Sequence, residues 1–386
     1  MSLEIEICCQ SCYLYALERT VILAKIALIY NLVHPHMLKS GPLDRIAEYD
    51  SEETIFALSD AIRARGHQVI PLEADESIAE KLMSVRPQIV FNIAEGIRGE
   101  SRESHVPAIC EMLGLPYIGS GPLTLALCLN KARAKEILSY YHILTPPFQV
   151  LRSPEDKLDS NLHFPLIAKL LHEGSSMGLS EHSIVEDEVS LKQQVEYLVK
   201  TYHQPALVEE FIEGREFTVG VLGNEYARVL PIIEVVFTKP RGIVLFNPDN
   251  PVIPLIRRVR GDSVQLPNVH HCAVCPADIS EKLAHQITQT ALRAFRVLGC
   301  RDWCRMEMRL GPNGALYVLE LNPIAGIDPS YWLPKAAEVA GLSYEDLVNE
   351  ILDHALARAG LNESMPFEDQ PRMPGLLSQW ERNDET

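Results

Sequence analysis

The stretch WCRMEMRLGPNGALYVLELN, Trp303 to Asn322, decides how this chain is read. It holds two runs in which apolar and polar residues alternate, Trp303 to Leu310 and Leu316 to Leu321. Between them stands Gly311-Pro312-Asn313-Gly314. Alternation with period two reads as a strand, and a Pro-Asn-Gly turn between two such runs reads as a hairpin. Side chains two apart share a face of a strand. Arg305 and Glu307 therefore lie together on the first strand, and Glu320 and Asn322 on the second. Pairing the strands gathers two carboxylates and an amide oxygen, hard donors suited to Mg²⁺. Two Mg²⁺ ions held this way would bridge triphosphate oxygens and neutralise transferring charge. Taken alone, the pattern also describes a sheet face with its charges in solvent.

Upstream, the chain alternates short apolar strands with amphipathic helices. Ile26 to Tyr30, Val69 to Leu72 and Gln88 to Asn92 read as strands. Ser51 caps a helix through Ile55, Leu58 and Ile62 that stops at Gly66, and Ile78 to Val85 is a second helix. This rhythm predicts a parallel sheet covered by helices, with ligands beyond the carboxyl ends of its strands. That draws attention to the loop after Asn92, which carries Glu95, Arg98 and Glu100. Gly119-Ser120-Gly121-Pro122 marks a boundary, followed by a helix from Leu123 to about Tyr140 carrying Lys131, Arg133 and Lys135. Further strands are expected at Pro165 to Lys169, Leu207 to Ile212 and Glu216 to Leu222, and helices at Ser280 to Leu298 and Tyr344 to Ala357. Residues 238–275 have weak periodicity and read as one long loop, functional or disordered. The strand ending at Lys169 runs into Gly174-Ser175-Ser176-Met177-Gly178. Small residues there let backbone N–H groups point at phosphate oxygens, although a merely flexible loop has the same composition.

Composition narrows the function. Against 35 Lys and Arg stand 52 Asp and Glu, a net charge of −17. That disfavours binding to nucleic acid, whose phosphates need a positive footprint. A hydrophobic content of 47% excludes disorder for most of the chain. No apolar run reaches the ~18–20 residues of a membrane span, and the first charges, Glu4 and Glu6, are not those of a secretory leader. Nine cysteines without an export signal predict reduced thiols in the cytoplasm. Cys9/Cys12 and Cys272/Cys275, with His270 and His271, would form a zinc site only if distant segments met.

Four segments in register carry a resemblance: GLPYIGSGPLTLALCLNKARAKEIL, PLIAKLLHEGSSMGLS, LVEEFIEGREFTVGVLGN and YVLELNPIAGIDPSYWLPKAAEVAGLSYEDL. Together they resemble the D-alanine–D-alanine ligase branch of the ATP-grasp superfamily over about residues 88–355. The resemblance implies an α/β fold, α+β in its later part: a parallel-sheet N-terminal domain followed by a two-lobed ATP-grasp fold. The expected division is an extension at 1–22, an N-terminal domain at 23–122, a central lobe at 123–212, a C-terminal lobe at 213–358 and a tail at 359–386. The implied activity is ATP-dependent ligation of a carboxylate to an amine through an acyl phosphate, with small-molecule substrates and often a homodimer.

Residue by residue, the resemblance implies that Lys131 and Lys169 contact the nucleotide's phosphates. Glu209, Glu210, Phe211 and Ile212 would form the adenine hinge, and Glu216 would take the ribose hydroxyls. Ser175 and Ser176 would close over the phosphates, Ser175 as part of the catalytic set. Glu307, Glu320 and Asn322 would hold two Mg²⁺ ions, with Mn²⁺ as a substitute. Arg305, with the Gly326 backbone, would face the tetrahedral oxyanion.

The chain departs from the family on the amino-acid side. The family's Gly-Gly-x-Ser-x-Glu segment is replaced by Asn31-Leu32-Val33-His34-Pro35-His36, leaving Glu48 as a candidate for its glutamate. Glu95 stands where a histidine is expected, while Glu100 keeps a matching acid. Tyr331-Trp332 replaces a Ser-Leu pair at the acceptor end, or packs beside Pro334. Arg257, Arg258 and Arg260 stand in place of a Lys-Tyr pair. ATP-dependent ligation is therefore expected with different substrates. A true D-alanine ligase of cell-wall synthesis, a specialised biosynthetic ligase and a non-catalytic ATP-binding protein remain the alternatives.

Overall fold

A computed structural model describes residues 23–34, 37, 42–238, 241–245, 255–257 and 271–361. Its first sheet is parallel, with β1 (Lys25–Tyr30) between β2 (Gln68–Glu73) and β3 (Ile89–Asn92). The crossovers are α1 (Glu52–Arg63) and α2 (Ile78–Val85). Ser51 caps α1 by accepting a hydrogen bond from the Thr54 N–H at 3.2 Å. The central strand is buried on both faces, which is why it reads as a continuous apolar run. Ile26 and Leu28 face Leu58 and Ile62 of α1, whereas Ala27 and Ile29 face Ile78 and Leu82 of α2. A short 3₁₀ turn and α3 (His105–Leu113) follow the third strand.

The helix expected from Leu123 to Tyr140 is two helices, α4 (Pro122–Leu129) and α5 (Lys131–Tyr140). Asn130 divides them. Its ψ of 91° leaves the helical region, and its side chain accepts from the Arg133 N–H at 3.1 Å, capping α5. Lys131 thereby becomes the first residue of a helix.

Two antiparallel sheets follow. The smaller comprises β4 (Phe148–Leu151), β5 (Leu166–Leu170), β6 (Ile184–Val185) and β7 (Ala206–Glu210), in the order β4-β7-β5-β6. The amphipathic α6 (Glu188–Tyr202) covers it through Leu191, Val195 and Leu198. The larger contains β8 (Arg215–Leu222), β9 (Arg228–Val229), β10 (Ile233–Phe237), β11 (Leu255–Arg257), β12 (His271–Cys275), β13 (Trp303–Leu310) and β14 (Leu316–Asn322). Its main path runs β11-β12-β10-β8-β13-β14, with β9 beside β8. One face packs on α7 (Glu281–Val297). The other side meets α8 (Trp332–Val339) and α9 (Tyr344–Arg358) in a core shared with the first sheet.

The long-loop expectation for 238–275 needs correction, because β11 and β12 come from that span. β12 pairs with β10 through buried Cys272, Ala273 and Val274, and that partner supplies what local periodicity does not show. The zinc expectation gains nothing here. Cys272 and Cys275 are three apart on a strand, so they point to opposite faces. Among the described residues no group of three or more His, Cys, Asp or Glu is arranged to hold a metal. Cys9, Cys12 and His270 lie outside the described residues.

Candidate active site

The hairpin of β13 and β14 brings its charged residues together. Glu307 lies opposite Glu320, and Arg305 opposite Asn322, with a register shift between Glu307 and Met308. The alternate residues Cys304, Met306 and Met308 point into the core, which fixes the polar face outward. The Asn322 amide donates to Glu307 Oε2 at 2.8 Å, leaving its own oxygen for another partner. Arg305 Nε lies 2.9 Å from Glu307 Oε1, and Thr218 Oγ1 lies 3.4 Å from the same oxygen. Burial, with the charge of Glu320, pushes the Glu307 carboxyl up to about 7. Burial also acts on Glu320, but Lys131 and Lys169 outweigh it and hold that carboxyl below its ordinary value. Lys131 Nζ is 3.6 Å from Glu320 Oε2. Two facing carboxylates and an amide, crowded by their own charge, fit a divalent cation with hard oxygen ligands.

A second charge cluster lies on the smaller sheet. Glu209 Oε1 is 2.7 Å from Lys169 Nζ, and Oε2 is 2.8 Å from Lys135 Nζ, all three being deeply buried. Burial would raise Glu209, but the two ammonium groups hold it down at about 2. Burial lowers Lys135 to about 8. Glu209 thus serves as the counter-charge for two lysines. Lys135, a helix residue with no assigned role in the sequence, is fixed there by Thr145 Oγ1 at 2.7 Å.

At the end of β7 the backbone opens toward the cleft. The Glu210 N–H donates to Pro147 O at 3.0 Å. In an antiparallel pair the partner returns a bond, but proline has no N–H to give, so the Glu210 carbonyl lacks that partner. The Glu210 side chain points away and accepts from the His163 N–H at 3.0 Å. Phe211 is buried beneath the Arg309 guanidinium, 4.6 Å from its ring centre. Arg309 donates to Glu216 Oε2 at 2.7 Å, Ile212 O at 3.1 Å and Gly242 O at 2.6 Å. Arg309 was not singled out from the sequence. Period two places it on the face of Arg305 and Glu307, and that was the available signal.

The loop at 174–178 is tethered from the N-terminal domain. The Gly174 N–H donates to Glu48 Oε1 at 2.7 Å, and the Gly178 N–H to Asp44 Oδ2 at 2.8 Å. Between these ties Ser175 and Ser176 hold left-handed backbones, with φ of 46° and 61°. Glu48 is itself paired with buried Arg102 at 2.5 Å, and Arg102 also reaches Glu173 at 2.7 Å. Lys131 Nζ donates to the Glu173 carbonyl.

Two cavities adjoin. The smaller, about 150 Å³, is lined by Lys169, Ser176, Glu210, Phe211, Glu216 and Trp332. The larger, about 350 Å³, is lined by Glu48, Asp50, Glu95, Glu103, Gly326 and Tyr331. Lys131, Gly174, Ser175, Arg305 and Glu320 line both and form the wall between them. Tyr331 packs on Gly326 so closely that a Cβ there would lie 2.4 Å from its ring. Trp332 lies 5.7 Å from the Arg305 guanidinium. Glu95 enters the larger cavity, whereas Glu100 does not: its side chain is 81% exposed, 3.9 Å from His172 Nε2. Arg98 pairs with Glu76 at the surface. Arg258 and Arg260, and the side chain of Arg257, lie outside what is described.

Comparison with known proteins gives the family of the chain. The family model for the D-ala D-ala ligase C-terminus matches residues 137–250 and 262–353. The chain is 36% identical over 306 residues to the uncharacterized protein y4sG of Sinorhizobium fredii, covering 77% of this chain and 86% of that protein. It is 31% identical over 306 residues to a D-alanine–D-alanine ligase of Desulforudis audaxviator, covering 78% and 92%. A crystal structure of the Bacillus anthracis D-alanine–D-alanine ligase complexed with ATP has the same fold, with a TM-score of 0.66 and 21% identity over 88% of this chain and all of that one. The VanG D-Ala:D-Ser ligase of Enterococcus faecalis superposes with a TM-score of 0.64 at 19% identity, covering 86% of this chain and 100% of that one. The chain belongs to the D-alanine–D-alanine ligase family of the ATP-grasp superfamily and is an ATP-dependent C–N ligase.

Proposed function

We propose that the protein activates a carboxylate with ATP and joins it to an amine on a substrate pair other than two D-alanines. The observation that carries this reading is the shared wall. Lys131, Arg305 and Glu320 face both the hinge-side cavity and the larger one, so a phosphate held on one side meets a carboxylate held on the other.

In this reading the hinge takes the adenine, through the Glu210 carbonyl and the Ile212 N–H, and Glu216 takes the ribose. Glu307, Glu320 and Asn322 would hold Mg²⁺, which would supply charge neutralisation at the phosphates. The carboxylate attacks the γ-phosphorus, the bond to the bridging oxygen breaks, and ADP leaves. Two anions must approach, and Lys131, Lys169 and Arg305 screen them. The amine then attacks the acyl carbon, a C–N bond forms, phosphate departs with the C–O electron pair, and the amine loses a proton. Arg305 and the Gly326 backbone stabilise the tetrahedral oxyanion. Ser175 and Ser176 cover the phosphates and exclude water from an acyl phosphate that hydrolysis would waste.

Substrate identity is argued from Tyr331 and Trp332. Tyr331 occupies the larger cavity's wall against Gly326, and Trp332 covers Arg305. The Tyr331 ring, in place of a serine, reshapes the acceptor end directly, whereas Trp332 lines the smaller cavity and acts on the larger one through Arg305. Purified protein with ATP, Mg²⁺ and D-alanine should make D-alanyl-D-alanine at less than a hundredth of an ordinary cell-wall enzyme's rate. Tyr331→Ser with Trp332→Leu should shift preference toward smaller acceptors. A wild-type rate equal to that of a cell-wall enzyme, or an unaltered profile in the double variant, would remove this reading.

A further inference from the structure

The oxyanion donor assigned to Gly326 has a support of its own on β13. Alternation places Trp303 on the same strand face as Arg305 and Glu307. Cys304, Met306 and Met308 take the opposite face and its core. Trp303 is 1% exposed, and its indole Nε1–H donates to the Ala325 carbonyl at 3.2 Å. That carbonyl and the Gly326 N–H belong to one peptide plane. The peptide is trans, so the two bonds point in opposite directions. A donor on the carbonyl side therefore turns the N–H to the other side. Ala325 is buried in the core shared with the first sheet, whereas Gly326 is only half-buried in the wall of the larger cavity. Among the described residues the Gly326 N–H has no acceptor.

The indole is itself held in place. Its six-membered ring lies against Gly119, where a Cβ would come within 3.0 Å of it. Phe91 packs on it with ring centres 6.5 Å apart. The loop is tied on its far side as well, by the Tyr344 hydroxyl, which donates to the Ile327 carbonyl at 3.0 Å. The Ala325–Gly326 peptide thus has one fixed orientation. A hydrogen bond to a peptide oxygen also polarises that peptide, which strengthens its N–H as a donor.

We propose that Trp303 is a positioning residue for the oxyanion site. Through the Ala325 carbonyl its indole aims the Gly326 N–H at the developing oxyanion, while Arg305, two residues on along the same strand face, supplies the charge. This rests on the ligase reading and adds a residue buried out of the substrates' reach. Its effect is confined to one step. Transfer of the γ-phosphoryl group leaves the carbonyl of the carboxylate intact and needs no oxyanion donor there. Attack of the amine on the acyl carbon puts negative charge on the carbonyl oxygen, and phosphate leaves as that charge returns.

The test replaces Trp303 in the full chain with 3-benzothienylalanine, whose ring matches indole in shape but carries sulfur in place of the N–H. Hydroxylamine serves as the amine, with a carboxylate that yields a hydroxamate in the unmodified protein. Losing an oxyanion donor outright costs about a hundred- to thousand-fold in turnover. A donor left in place but misaimed should cut hydroxamate turnover at least ten-fold. Affinity for a non-hydrolysable ATP analogue should stay within about two-fold. So should carboxylate-dependent scrambling of the ¹⁸O bridge in βγ-labelled ATP, which reads acyl phosphate formation alone. Trp303→Phe should show the same split. In ¹⁵N-glycine-labelled protein the Gly326 amide resonance should move with the sulfur replacement. Undiminished hydroxamate turnover in the sulfur variant, an equal fall in scrambling, or an unmoved Gly326 resonance would overturn the proposal. No hydroxamate from any carboxylate in the unmodified protein would instead strike the ligase reading, and the Gly326 resonance would still decide the geometry.

Discussion

Arg309 shows how one side chain organises the nucleotide side of the site. Its guanidinium lies between the rings of Phe211 and Phe237, 4.6 and 5.6 Å from their centres. Its fork ties Glu216 to two carbonyls, at Ile212 and Gly242. A lysine keeps the charge but not the fork. Arg309→Lys should therefore lower stability by about 1–3 kcal/mol, the usual range for a buried polar group left without its partner. It should also raise the KM for ATP about ten-fold, with a smaller effect on kcat. Urea unfolding and ATP titration check both, and an unchanged ATP KM would separate Arg309 from the nucleotide site. At this scale the sequence was informative where partners share an element, as Arg305 and Glu307 do. It was silent where they do not. Nothing local to Glu48 announces its bonds to Arg102 and Gly174, 54 and 126 residues away.

Among the elements, those with strong periodicity and marked ends were legible. The β13–β14 hairpin, α2 and the Ser280-capped α7 fall close to their expected bounds. The break between α4 and α5 was hidden because Leu129-Asn130-Lys131 continues a helical pattern. Only the ψ of Asn130 interrupts it. β4, β10 and α8 were not read at all. β4 has four residues, and α8 carries Pro334 in its first turn, where a missing N–H costs nothing. Asn130 both caps α5 and bonds to His172 at 3.1 Å. Asn130→Ala should cost about 0.5–2 kcal/mol, the range for a lost N-cap. It should also weaken nucleotide binding, because Lys131 begins the capped turn. Chemical denaturation and analogue titration measure the two effects. Full stability in this variant would contradict the cap.

Across the whole molecule, Asp302 joins the parts. It is fully buried and accepts from the Gly119 N–H at 2.6 Å, Asn224 Nδ2 at 2.9 Å and Arg358 Nη2 at 2.7 Å. These partners come from the turn before α4, from the turn after β8 and from the end of α9. Next to it, Trp303 packs 6.5 Å from Phe91 of the first sheet and donates to the Ala325 carbonyl at 3.2 Å. Asp302→Ala leaves Arg358 and two other donors without their acceptor. Breaking a buried pair in this way costs about 3–5 kcal/mol. The expected result is a large fall in the urea midpoint across all parts at once, and a loss under about 1 kcal/mol would show that the parts are held together otherwise. The two-lobed plan was legible from the order of motifs. How the first sheet's part meets the last was not, since it rests on single residues such as Asp302, whose partners Gly119, Asn224 and Arg358 lie in three separate stretches.

The central claim is that a carboxylate is activated as an acyl phosphate at the wall of Lys131, Arg305 and Glu320. The most direct measurement is ATP-dependent release of phosphate, with hydroxylamine as the trap, over a panel of carboxylates that includes L- and D-amino acids. The account predicts that at least one carboxylate yields its hydroxamate with ADP and phosphate in equal amounts. Glu320→Gln should fold normally and lose that yield by a hundred-fold or more. Hydroxamate formation undiminished in Glu320→Gln, or nucleotide binding with no hydroxamate from any carboxylate, would contradict it.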